Sequence, residues 1–261
     1  LTVRLAVCSC LMPYWLPGEF LEKFALKIKE KRAVKRINIR LNEKNNGVEF
    51  MFDFFNNINW LELAFSVPAL MLALTFHEFS HGLVASILGD DTPRAQGRLT
   101  LNPIRHLDPV GTLMLFLFRF GWAKPVEVDA RNFRVNYKLG MALVAVAGPL
   151  SNILLALFSA YCISFINSGL IPSNIYFSAF FNMLMMYNVC FAAFNILPFP
   201  PLDGSKVVAA IVPASFADFL YSNTQLFMLL LVLFTTTGYV GKFMTPLVNW
   251  FYYFINMLVF A

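Results

Sequence analysis

The chain reads as an all-α polytopic membrane protein with five to six transmembrane segments. Two observations predict this. Of its 261 residues, 58% are hydrophobic and only 13% charged, and the mean hydropathy is +0.63. A soluble domain does not have that balance. The apolar residues are also gathered into runs, at 60–88, 139–169, 176–197, 225–240 and 243–260. The first three are each long enough to cross a hydrocarbon core of ~30 Å at ~1.5 Å per residue.

In chain order, residues 1–50 differ from the rest. They hold ten Lys/Arg against five Asp/Glu, whereas 51–261 balance at ten against ten. The net charge of +5 therefore belongs to this stretch, and nothing in it points to a nucleic-acid partner. No apolar region of signal-peptide length follows a basic start. One reading is a basic amphipathic arm on anionic lipid. The other is that translation begins at Met51. Topology favours the second. The segment 89–138 carries eight Lys/Arg and 198–222 one, which puts 89–138 in the cytoplasm and the N-terminal side of the first span outside. The expected organisation is thus a basic extension over 1–50, with a transmembrane domain over 51–261.

The first span begins at Trp60, placed like an interfacial anchor, and contains Pro68. Two stretches of the polar segment alternate as short strands do, 97–103 and 126–129. The apolar piece 110–123 is about 14 residues long and includes Arg119. It suits a re-entrant or interfacial element better than a span. Three prolines, Pro198, Pro200 and Pro201, must break the helix that ends the third run, and a short helix is expected from Leu202 to about Val212. A break at membrane depth is tolerated where it is buried in protein or lines a cavity. The last two runs read as bundle walls. Of the four cysteines, Cys8 and Cys10 lie near the start while Cys162 and Cys190 lie in apolar runs, so no Cys-ligated metal is indicated.

The chemistry centres on His77-Glu78-Phe79-Ser80-His81 inside the first run. Histidines four apart share one helix face and can hold one Zn²⁺, with Glu78 as general base on a water at the metal. The bland alternative is three polar residues hydrogen-bonded within a bundle. Ionisable groups at membrane depth are costly, at a few kcal/mol each, which favours a function. Catalytic zinc usually takes three protein ligands. His106, Asp108, Asp129 and Asp203 are the candidates. His106 suits a surface histidine in a polar loop. Asp203 is the only acid between Asp129 and Asp218 and follows the helix break, so it is the chosen third ligand, with an N-cap of the next helix as its alternative. Asn152, in Gly148-Pro149-Leu150-Ser151-Asn152, is an amide at membrane depth, where interhelical bonding is the ordinary role.

HEFSH in the first run, followed much later by Asn195-x-x-Pro198-x-x-x-Leu202-Asp203-Gly204, resembles the site-2 protease family of intramembrane zinc metalloproteases. The stretches 97–112, 122–128 and 147–152 are similar to its compact prokaryotic members, and the likeness covers about 61–212. The resemblance implies one Zn²⁺ per chain on His77, His81 and Asp203, with Glu78 as catalytic acid/base. It implies that Asn152 contacts the substrate or its oxyanion, that Asn195 supports the site near the break, and that 95–130 forms a small membrane-associated β-hairpin region. The implied activity is hydrolysis of a peptide bond within or near a transmembrane helix of a single-span membrane protein, in a prokaryotic cell membrane, from a site open to the cytoplasm. The alternative is an inactive membrane binder or metal-handling protein of the same fold.

Overall fold

The computed structural model describes residues 4–6, 60–111, 121–172, 174–237 and 239–260. Phe65–Ala261 and Leu1–Leu11 form one compact unit; of the other, Met12–Ala64, only 60–64 lie among the described residues. The basic extension lies outside them apart from Arg4–Ala6 (β1).

Helix α1 spans Trp60–Ile87 and continues past Pro68. Most of its buried residues, Ser66, Ala69, Leu70, Ala73, His77, Glu78, His81, Gly82 and Ala85, follow one stripe at three- and four-residue spacing, while buried Thr75 lies off it and donates its hydroxyl to Met71 O. The small members of that stripe let a neighbouring backbone come close, which is how helices pack where burial from water supplies no drive. The helix ends at Gly89, whose φ of +112° lies in the left-handed region. A Cβ there would also sit 2.9 Å from Asn132 O.

After the short α2 (Thr92–Ala95) come α3 (Tyr137–Asn167), α4 (Ile175–Asn195), α5 (Asp203–Ile211), α6 (Ala214–Ser222), α7 (Thr224–Thr236) and α8 (Tyr239–Phe260). Asn136 and Asn174 begin α3 and α4 by accepting from Lys138 N–H and Tyr176 N–H. Helix α3 packs along α4 and also against α5 and α8. From Met186 to Asn195, α4 is buried on every side. Pro198, Pro200 and Pro201 then interrupt it, and the chain resumes as α5, as the prolines predict. Among the described residues, helices α1, α3, α4 and α8 are long and apolar enough to cross a membrane, and the pair α6–α7, bent by 62°, adds a fifth if its two helices form one span. Four to five spans meet the expected five to six at five. Residues 112–120 of the short apolar piece lie outside the described residues.

The two alternating stretches are not strands. Near 97–103, Thr100 Oγ1 accepts from Asn102 N–H and Asn102 Oδ1 from Ile104 N–H. These side chains draw the backbone into a turn and a 3-10 helix, Pro103–His106. Over 126–129, backbone donors reach carboxylates of α1 and its end. The described part of 95–130 contains one strand, Gly121–Ala123 (β2), paired antiparallel with β1, and a single bridge between Leu107 and Ala123. A hairpin is not seen among these residues.

Candidate metal centre

The HEFSH segment places His77 and His81 one turn apart on the buried stripe of α1, both facing α3. The far nitrogen of each ring has a fixed partner. His81 Nδ1 lies 2.6 Å from Val144 O. A carbonyl only accepts, so Nδ1 carries the hydrogen. His77 Nδ1 lies 2.6 Å from Asn152 Oδ1. The Asn152 amide is itself oriented, because its Nδ2 donates to Ala73 O at 3.0 Å and to Asn188 Oδ1 at 2.7 Å. Asn188 Nδ2 in turn donates to Leu184 O. Each link has one direction, and His77 Nδ1 must donate at its end.

In neutral rings both Nε2 atoms therefore point lone pairs inward. They are 3.0 Å apart. Asp203 Oδ2, brought in by the first turn of α5, lies 3.2 Å from His77 Nε2 and 3.1 Å from His81 Nε2. Three acceptors facing one another in a buried place repel; a cation at their centre reverses the sign. A tetrahedral ion with bonds of ~2.0–2.1 Å needs ligand atoms about 3.3–3.4 Å apart. The triangle is within about 0.4 Å of that, and both outer nitrogens already have the acceptors that metal-binding imidazoles use. The donor set fits Zn²⁺.

Two glycines permit this approach. A Cβ on Gly148 of α3 would overlap His81 Nε2 and lie 2.6 Å from His77 Cε1. A Cβ on Gly204 would overlap Ile196 O, lifting Asp203's turn off the break. Asp203 Oδ1 accepts from Lys206 Nζ at 3.2 Å.

Glu78 is buried beside the triad, and its Oε2 accepts from Val126 N–H at 3.0 Å. Asn195 is buried, but its Nδ2 donates to Phe191 O of its own helix. Asn152 spends its amide on the packing of α1, α3 and α4. An amide has two N–H hydrogens, and its two acceptors are Ala73 O and Asn188 Oδ1. No donor is left over for an oxyanion. Asn188 was missed in the sequence. The only signal was its place two turns before Asn195 in an apolar run.

The other candidates lie elsewhere. His106 is buried rather than at the surface, because Lys124 N–H bonds to its carbonyl and the Leu107–Ala123 bridge follows it. Its Nε2 donates to Thr100 O. Asp108 accepts from Gly111 N–H. Asp129 pairs with Arg131, whose bonds hold its carboxyl down to about 2.

Asp90 ties the end of α1 to the 129–132 turn. It accepts from Thr92 N–H and Oγ1–H, Asn132 Nδ2 and Asp129 N–H. Burial pushes its carboxyl up, but those donors together bring it below the ordinary 3.8. A lowered carboxyl pKa stabilises the fold above the unfolded value and ceases to do so as pH falls through the folded one. Amide exchange at Thr92 and Asp129, corrected for intrinsic rates, should stay flat from pH ~7 to about 4 and rise only below. A rise already near pH ~6 would mean that another group holds the turn.

Known proteins bear on this geometry. Residues 163–237, the part carrying Asp203, match the model of peptidase family M50. Over 179 residues, 67% of this chain and 81% of the relative, the chain is 38% identical to YwhC of Bacillus subtilis, provisionally named a zinc metalloprotease. The chain belongs to peptidase family M50, the site-2 protease family. Rip2 of Mycolicibacterium smegmatis, named in the same provisional way, is 26% identical over 194 residues, 72% of this chain and 73% of that one. Rip2 of Mycobacterium tuberculosis is 27% identical over 144 residues, 53% of each. No solved structure matches. As an M50 peptidase with several membrane-crossing helices, the chain is an integral membrane protein of the metalloprotease class with zinc as its metal. Among the described residues, His77, His81 and Asp203 form the group able to hold that ion.

Proposed function

We propose that this M50 peptidase hydrolyses a peptide bond within or near a transmembrane helix of a single-span membrane protein, at a site open to the cytoplasm. One observation carries the reading. A buried carboxylate, Glu78, adjoins three buried metal-binding atoms ten residues inside the end of an apolar helix, about 15 Å along its axis. His77 and His81 would hold the ion through Nε2 and Asp203 through Oδ2. Zinc, when bound there, polarises a carbonyl and lowers the pKa of water. Glu78 takes a proton from the attacking water and delivers it to the leaving amide nitrogen. Asn152, braced by Asn188, holds the His77 ring in register, and Asn195, bonded back to Phe191 O, supports the site near the break after α4. The eight Lys/Arg of 89–138 support the cytoplasmic opening. A helical substrate hides its carbonyls in i→i−4 bonds, so it must unwind before cleavage.

The test is cleavage of a fluorescent single-span peptide by purified protein, before and after zinc removal. Activity should vanish with the metal, return on adding zinc, and rise when a Gly or Pro is placed in the peptide's span. Cleavage that persists in fully zinc-free protein would overturn the reading. Asn152→Ala should weaken zinc binding by ~10–100-fold, the usual consequence of losing an imidazole's outer partner. Unchanged zinc affinity in that variant would remove Asn152 from the site.

A further inference from the structure

We propose that Asp90 is a positioning residue for Glu78, acting at a distance through the Lys124–Asp129 segment and its Val126 N–H. The inference rests on the reading of Glu78 as the proton carrier and names what aims it.

The segment is anchored at one end to α1 and at the other to the turn that follows it. At one end, Val126 N–H donates to Glu78 Oε2 at 3.0 Å. The Val126 side chain is buried, with Cγ1 against Gly82, one turn beyond Glu78. Pro125 has no N–H and fixes its own φ, while the residue before it is restricted to extended backbone. The approach to Val126 is therefore stiff. At the other end, Asp90 Oδ2 accepts from Asp129 N–H at 2.8 Å and Oδ1 from Asn132 Nδ2 at 2.9 Å. Arg134 N–H adds a bond to Leu88 O at 2.8 Å. Asp90 is fully buried in a polar loop, a costly place for a carboxylate unless its donors are fixed. It has them from both sides of the tie, since Thr92 supplies two more.

A general base needs its carboxylate held within hydrogen-bond reach of the proton it takes. A backbone donor on Oε2 restricts rotation of that carboxylate without adding a titrating group. Asp90 touches neither the triad nor Glu78. Its effect reaches the site only through the position of Val126.

The chain holds two Pro–Val pairs, Pro109–Val110 and Pro125–Val126. Labelling zinc-loaded full chain in micelles with carbonyl-13C proline and 15N valine therefore gives two amide resonances, assigned by the loss of one in Val110→Leu. Glu78→Ala, which deletes the acceptor, should shift the Val126 peak and speed its exchange severalfold. Asp90→Asn, which turns the Oδ2 acceptor towards a donor, should move the same peak in the same direction. Both should leave the Val110 peak and zinc content unchanged. In the cleavage assay, Asp90→Asn should lower kcat severalfold with KM held. A Val126 peak indifferent to either substitution overturns the proposal, as does wild-type kcat in Asp90→Asn. Glu78→Ala acts from the far end of the tie, so the bond is still tested if Asp90→Asn folds poorly. The two peaks decide the tie whether or not the chain cleaves; cleavage by wild type decides the functional reading separately.

Discussion

Glu78→Gln should leave about one zinc per chain and lower kcat by ~10²–10⁴-fold, the span usual for loss of general acid–base catalysis. Gln has the shape of Glu and keeps an oxygen for the Val126 N–H. It cannot take a proton at neutral pH. Glu78 is also outside the three-atom group of His77, His81 and Asp203, so the metal has no reason to leave. Zinc content and kcat are therefore expected to separate in this variant, which few substitutions in so buried a place would do. The measurement is elemental analysis and peptide cleavage on the same preparation. Wild-type kcat would show that Glu78 is not the proton carrier. A zinc-bound wild type that cleaves nothing would instead favour the metal-handling reading of the same fold.

What was legible in the sequence is what is local along the chain. Two histidines four apart lie on one face of any helix, and three prolines in four positions end any helix, so the HEFSH segment and the α4–α5 break needed no tertiary knowledge. Asp203 followed because it is the one acid beside that break. The contacts between helices were less legible. Asn188 carries no motif, yet it fixes the direction of the Asn152 amide and through it the His77 tautomer. Gly148 carries no signal of its own in the sequence, and its place against both imidazoles appears only when α1 and α3 are packed. The strand readings failed for a related reason. Alternation in Val126-Glu127-Val128-Asp129 reports a buried and an exposed side, and Val126 is indeed buried while Glu127 is exposed. It does not say what takes the backbone donors. Here Glu78 and Asp90 take them, and a backbone donor leaves no trace in the residue letters.

Asp203→Ala should cost the protein its zinc. The substitution removes one of three binding atoms and the only anionic one, leaving two neutral imidazoles for a divalent cation. It also leaves the Lys206 ammonium, now 3.2 Å from Asp203 Oδ1, beside the site without that carboxylate. Both changes oppose a cation, so the loss should exceed that of a merely neutral ligand. Asp203→Asn separates the two contributions, since it keeps the shape and an oxygen but not the charge. Elemental analysis after exhaustive dialysis against a mild chelator should give about one zinc in wild type, little in Asp203→Ala, and an intermediate value in Asp203→Asn. A control of the fold is available in the same samples. The bonds of His77 to Asn152 and of His81 to Val144 do not involve α5, so α1 and α3 should stay packed and helical content should be kept. Full zinc retention in Asp203→Ala would mean that the break after α4 is not tied to the metal, and that the acceptor triangle is closed by something other than the ion.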